Sequence, residues 1–231
     1  MPTLPLTTDE AVAAVTSFPR TIFVLPAPHA TNLRVVCAAV AADPRVFRDL
    51  PLALRDNRVV ARHAIKQMSD VFRDVSPALR SDIPLVMQAL RIDGLLLKYA
   101  SPHLRNDPAI VEVAVKSCGE AILHAPLHLR RDKAIIAKAV EASPAALSYA
   151  LIAHPGWVSD TLYYAGRDAR GCAFGLLQRS GGWAIVGGPF AVPARVAQAL
   201  WGLDGSDYSP SAHTMVQTCL KKIQEWTRAN T

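Results

Sequence analysis

Four segments of this chain line up without gaps: Leu54-Arg55-Asp56-Asn57, Leu79-Arg80-Ser81-Asp82, Leu104-Arg105-Asn106-Asp107 and Leu129-Arg130-Arg131-Asp132, each beginning 25 residues after the last. The frame extends beyond them. Alanine recurs at Ala14, Ala39, Ala64, Ala89, Ala114 and Ala139, each followed by a branched aliphatic residue at Val15, Val40, Ile65, Leu90, Val115 and Val140. A second apolar column holds Ile22, Phe47, Phe72, Leu97, Ile122 and Leu147. A fixed period of this length marks a supersecondary unit that cannot bury its apolar face alone. Neighbouring units must stack and share a continuous core.

The grammar inside one unit predicts helices. Asp107 suits an N-cap, where a carboxylate accepts the free N–H groups of the first turn. Pro108 follows at the first helical position, where its missing N–H costs nothing. Ile110, Val111, Ala114 and Val115 then make one apolar helix face, and Gly119 is the expected C-terminal stop. A second, shorter helix carries Ile122 and Leu123 and ends before Pro126. Asn57 and Asp132 read as caps in the same way, and Ser76-Pro77 and Ser101-Pro102 as the start of a further turn. The small alanine column is the expected place of closest helix approach.

Beyond residue 150 the frame decays. Trp157 to Ala165 reads as a helix, with Tyr164 and Ala165 in the alanine and valine columns, and Leu176 and Leu177 close a degenerate seventh unit. Ser180-Gly181-Gly182 through Gly187-Gly188-Pro189 then breaks the pattern, with turns around a short extended piece from Trp183 to Val186. A short helix is expected from Pro193 to Gly202. A last one runs from Ser209-Pro210 to Arg228, with Met215, Val216, Cys219, Leu220, Ile223 and Trp226 on one face. The predicted fold is therefore all-α: an α-solenoid of stacked short helix pairs over residues 1–177, with a Gly-rich break and an atypical helical C-terminal cap over 178–231.

Composition agrees with a packed chain, since 51% of the 231 residues are hydrophobic and 19% charged. No apolar run approaches the ~18 residues that a membrane span needs. Met1 to Glu10 has two acids and no basic residue, so it reads as neither a secretory signal nor an Arg-rich transit peptide. Cys37, Cys118, Cys172 and Cys219 stand far apart with no C-x-x-C pair, which favours free thiols in a reducing, intracellular setting, with an organelle as the alternative if a presequence has been removed. The net charge of +6 suits an acidic protein partner or an RNA backbone.

The motif Leu-Arg-x-Asp-x-x-Ile-Val-x-x-Ala-Val, clearest at Leu104–Val115, together with Lys98-Tyr99-Ala100-Ser101, resembles the repeats of the domain of unknown function 4116. The resemblance covers about residues 30–155. It implies a helical-repeat module of a kind found in protists, bacteria and large viruses, often in several copies, and it brings no catalytic residues. Departures from the pattern are Arg131 and Lys133 around Asp132, Pro84 in its capping segment, and the tail after residue 170.

Candidate functional residues are few. Arg55, Arg80, Arg105 and Arg130 share one column, fit either to grip acidic side chains or phosphates or to pair with capping Asp residues and loop carbonyls. Lys221, Lys222 and Arg228 make the last helix basic, which serves a binding surface or simply complements the helix dipole. His103, His124 and His128 cluster near the connectors without a third ligand of metal-site spacing, so no metal is expected. The glycine-rich run lacks the Gly-Lys-Ser/Thr of a phosphate loop. Trp183, Trp201 and Tyr208 with Asp204 and Asp207 are the residues of the tail most suited to lining a pocket, but their spacing asks for no chemistry.

The expectation is a non-catalytic protein–protein scaffold or accessory subunit of a larger assembly, contacting its partner through Arg55, Arg80, Arg105, Arg130, Lys221 and Lys222. The alternative is an RNA-binding component of a ribonucleoprotein. Neither a cofactor nor a small-molecule substrate is expected.

Overall fold

The computed structural model describes residues 6–150, 162–167, 172–179, 182–187, 190–193 and 210–229. Two compact units divide the chain, Met1–Leu104 and Arg105–Thr231. The protein is mostly helical and also holds a small antiparallel sheet.

Each repeat opens with a ten-residue helix: α1 (Thr8–Ser17), α2 (Leu33–Ala42), α3 (Arg58–Gln67), α4 (Ile83–Ile92), α5 (Pro108–Ser117) and α6 (Lys133–Ala142). The N-caps follow the sequence grammar. Asn32, Asn57, Asp82, Asp107 and Asp132 accept first-turn backbone N–H groups through their side chains, and Thr7 with Glu10 forms a capping box ahead of α1. All six helices stop in the same way. The next residue turns extended (or nearly so at Phe18), and its N–H returns to the alanine column: Phe18 to Ala14, Asp43 to Ala39, Met68 to Ala64, Asp93 to Ala89, Cys118 to Ala114 and Ser143 to Ala139.

The second segment of a repeat is short and mostly of 3-10 type, over Pro19–Phe23, Ser69–Asp74, Gly94–Tyr99, Gly119–His124 and Pro144–Ser148, with an α turn at Val46–Asp49. Its inward residues, Ile22, Phe47, Phe72, Leu97, Ile122 and Leu147, are 0–2% exposed. Full burial of such side chains contributes about 1.5–3 kcal/mol each. A further turn follows at Leu52–Arg55, Leu79–Ser81, Pro102–Arg105 and Leu129–Arg131, anchored by the buried Leu54, Leu79, Leu104 and Leu129. Within the first unit α1 packs on α2, α2 on α3 and α3 on α4; within the second, α5 packs on α6.

Gly119 does not act as the helix stop expected of it. The helix α5 already ends at Ser117, and Gly119 begins the 3-10 segment with no unusual backbone angle. Its requirement is space: a Cβ there would lie 2.1 Å from the carbonyl oxygen of Ala139 and 2.9 Å from Ser143. This is the close approach that the alanine column permits.

The all-α expectation fails in the tail. Tyr164 and Ala165, read as part of a helix, and Leu176 and Leu177, read as closing a seventh helical repeat, instead lie in strands. Four strands, β1 (Leu162–Arg167), β2 (Ala173–Arg179), β3 (Gly182–Gly187) and β4 (Phe190–Pro193), pair antiparallel in the order β1-β2-β3-β4. The expected extended piece at Trp183 to Val186 lies in β3. A bulge shifts the register between Tyr164 and Gly166, and Gly166 sits there at φ 136°, a backbone angle that needs glycine.

The last helix, α7 (Pro210–Ala229), covers one face of this sheet. Val216, Cys219, Leu220 and Ile223 meet Tyr163, Ala165, Phe174, Leu176, Trp183 and Ile185. The Pro144–Ser148 segment touches β2, β3 and β4, with Leu147 in van der Waals reach of the Gly175 position on the alternate face. Leu162, Tyr164, Leu177, Ala184 and Val186 are buried as well. Apolar cover on both faces removes the alternation that marks a strand in sequence. The helix expected over Pro193 to Gly202, and the Trp157 start of the misread one, lie outside the described residues apart from Pro193, which ends β4.

Because a methyl group at Gly119 meets backbone, Gly119→Ala should destabilise the protein despite alanine's better helix propensity, by about 1–3 kcal/mol as overpacking does. Urea unfolding monitored by circular dichroism gives the value, and an unchanged midpoint would contradict the close approach.

Candidate partner-binding surface

The arginine column is half-buried, and Arg55, Arg80 and Arg130 bond backbone carbonyls. Arg55 donates from Nε to the Leu50 carbonyl at 3.0 Å and from Nη1 to the Asp74 carbonyl at 3.4 Å. Arg130 donates from both Nε and Nη2 to the Tyr149 carbonyl, at 3.1 and 2.7 Å. Both reach a carbonyl 19 residues ahead, at the end of the next repeat's second segment. Such ends leave carbonyls without intrahelical donors, and a guanidinium fork satisfies them. Arg80 donates through Nη2 to the Arg73 carbonyl at 2.6 Å. The Nε atoms of Arg80 and Arg105 are buried and meet no protein acceptor. On α7, Lys221 is exposed, while Lys222 pairs with Glu225 at 3.1 Å.

A second cluster of charge in the first unit is exposed. An open groove of about 390 Å³ is lined by Arg20, Arg45, Arg48 and Arg73, by Asp49 and Asp74, and by Pro44, Met68 and Val71. The second segments of three successive repeats bring these residues together. Asp74 is the groove's own anion: one oxygen, Oδ2, lies 3.3 Å from Nε of Arg48 and 3.6 Å from Nε of Arg73. Arg20 lies 4.0 Å from Asp49, and no ion pair of Arg45 is found among the described residues. Four arginines against two aspartates leave the lining with a net charge of two positive units.

Reading the repeat by its Leu-Arg-x-Asp text passes this groove over. The signal was nevertheless present: Arg20 and Arg45 stand 25 residues apart, and so do Arg48 and Arg73. They form two short basic columns on the second segment, where the outward positions vary from repeat to repeat.

In the second unit the charged feature is a tether. Glu112 on α5 takes Lys116 at 2.8 Å along its own helix and Lys138 of α6 at 2.7 Å. Hydrogen bonds from Lys116 and then Lys138 hold its carboxyl down at about 2, against its ordinary 4.5. Burial pushes the Cys219 thiol up to about 12, so on the sheet-facing side of α7 it behaves as a core residue. Among the described residues no three His, Cys, Asp or Glu side chains converge as metal ligands, and no helix is long and apolar enough to cross a membrane. Trp201, Asp204, Asp207 and Tyr208 lie outside the described residues.

The model of a family described as a domain of unknown function (DUF4116) matches residues 82–130, the Asp82 cap, α4 and α5 with the turns that follow them. This falls inside the segment whose repeat text resembles that family, and the arginine groove lies outside it. Comparison with curated proteins and with solved structures finds no significant match in either.

Arg130→Ala leaves the Tyr149 carbonyl without its two donors and should cost about 1–3 kcal/mol in chemical denaturation. Arg130→Lys should recover only part of this, since an ammonium lacks the planar fork. Equal stability of all three proteins would show that the contact does not hold the segment end.

The Glu112 tether has its own pH signature. Its folded carboxyl titrates below the unfolded one, so its stabilising contribution is complete above about 4.5 and is lost as pH falls toward about 2. The melting-temperature difference between the native protein and Glu112→Gln should therefore be largest near neutrality and vanish across that window. A difference independent of pH would rule out the ion pairs as its cause.

Proposed function

We propose that this chain is a non-catalytic binding scaffold or accessory subunit of a larger assembly, its repeats continuing as a short α-solenoid. The unbroken register from Ala14 to Ala139 supports the solenoid, because units spaced at one interval stack through one kind of interface. The observation that carries the binding role is the arginine groove, where cationic side chains surround the apolar Pro44, Met68 and Val71. Mixed surfaces of this kind suit protein partners, whose interfaces combine desolvated apolar centres with arginine. The groove is not alone on this edge. Phe18 and Val24, which flank the Arg20 segment, are 74% and 80% exposed.

In this reading the partner meets the exposed groove, while Arg55, Arg80 and Arg130 are engaged by segment carbonyls. Lys221 and Lys222 contribute a secondary basic surface on α7. The RNA-binding alternative keeps the net charge of +6 in its favour. However, the groove lining contains no aromatic ring on which a base would stack.

A tagged copy of the protein recovered from its native source, with and without nuclease, tests the proposal by mass spectrometry. A fixed set of proteins that survives nuclease is the expected result. Partners that disappear on nuclease treatment would replace the scaffold by the ribonucleoprotein reading.

A further inference from the structure

The geometry points to an acidic peptide segment, extended and with carboxylates about three residues apart, as the occupant of the arginine groove. This deepens the scaffold proposal and rests on it. The groove already shows how it holds a carboxylate, since Asp74 places one oxygen between the guanidinium groups of Arg48 and Arg73. Both meet it through Nε, and a guanidinium carries five donors, so capacity remains on each. Arg45 is exposed, with no ion pair found for it among the described residues, and Arg20 reaches Asp49 only at 4.0 Å. Those two side chains are the first available to an incoming anion.

Spacing argues for the form of the ligand. Arg20 and Arg45 are equivalent positions in adjacent repeats, as are Arg48 and Arg73. Packed helices stand about 8–10 Å apart, and cationic positions repeated at that interval face the ligand in steps. An extended peptide in the polyproline II form has three residues per turn and rises about 3.1 Å per residue, so carboxylates at every third position share one face about 9 Å apart and match the stack. Side chains between them rest on half-buried Pro44 and Met68.

Charge argues against a polyphosphate backbone. Asp49 and Asp74 stand among the arginines, and a phosphate at every nucleotide would be set against both. Carboxylates spaced to fall between them meet only cations.

The test is fluorescence anisotropy on the full chain with a labelled short peptide carrying Glu at every third position and Leu between. The expected result is saturable binding that weakens with salt, disappears when every Glu is Gln, and falls at least about tenfold in Arg20→Ala/Arg45→Ala. Arg62→Ala/Lys66→Ala, which removes the same charge from an exposed part of α3, should bind as the native protein does. The melting temperature of each variant checks folding, and Arg45→Gln alone serves if the double variant unfolds.

Equal binding of the Glu and Gln peptides, undiminished binding by the groove variants, or tighter binding of an oligouridylate of the same charge would each overturn the assignment. No peptide binding by a protein whose nuclease-resistant partners persist removes the groove and leaves the scaffold standing. Loss of those partners on nuclease treatment removes both.

Discussion

The rest of this structure depends on the carbonyl of one small residue per repeat. Each alanine of the central column ends its helix by accepting the N–H of the cap residue four positions on, and from Ala39 to Ala139 its methyl group is fully buried. At Ala139 the same carbonyl lies where a side chain on Gly119 would have to go. Helix termination and the approach of one repeat to the next are thus a single constraint. A larger residue at either place forces backbone apart, because packed interiors have no spare volume to absorb it.

That arrangement leaves each repeat with a short second segment whose terminal carbonyls lack helical partners. The arginine column supplies donors across repeats, Arg55 to Asp74 and Arg130 to Tyr149, so a cationic side chain becomes a fastening between units. Arg167, from β1, adds a bond to the Ser148 carbonyl at 2.9 Å, and the sheet thereby helps close the last segment. Basic residues therefore divide by position. Arg55, Arg80 and Arg130 on the inner turns bind backbone, and those facing outward on the second segments, Arg20, Arg45, Arg48 and Arg73, converge on a groove.

Much of this was legible in the residues. Asn57, Asp107 and Asp132 signalled their helix starts through cap chemistry, which acts within three residues and so is local. The apolar columns announced the core because a stacked repeat buries the same position each time. Of the strands, β3 was legible as the extended piece at Trp183 to Val186, but β1 and β2 were not, since the frame invited Tyr164 and Ala165 into columns they do not occupy. Their burial comes from α7 on one side and the Pro144–Ser148 segment on the other, both distant in sequence. Gly119 was similarly opaque: a glycine after a helix reads as a stop, and only the neighbouring helix shows that it serves as a gap.

By itself the sequence determined the period, the six repeat helices with their caps, the buried columns and the amphipathic last helix, all set by spacing and by interactions within a few residues of the chain. Tertiary structure alone decided that the tail pairs into a sheet, that Arg55 and Arg130 face carbonyls rather than solvent, and that Arg20, Arg45, Arg48 and Arg73 share one groove with Asp74. The physical reason is range. Capping and periodicity act over one helical turn, whereas strand pairing, guanidinium partners and charge convergence depend on which repeats come to lie side by side.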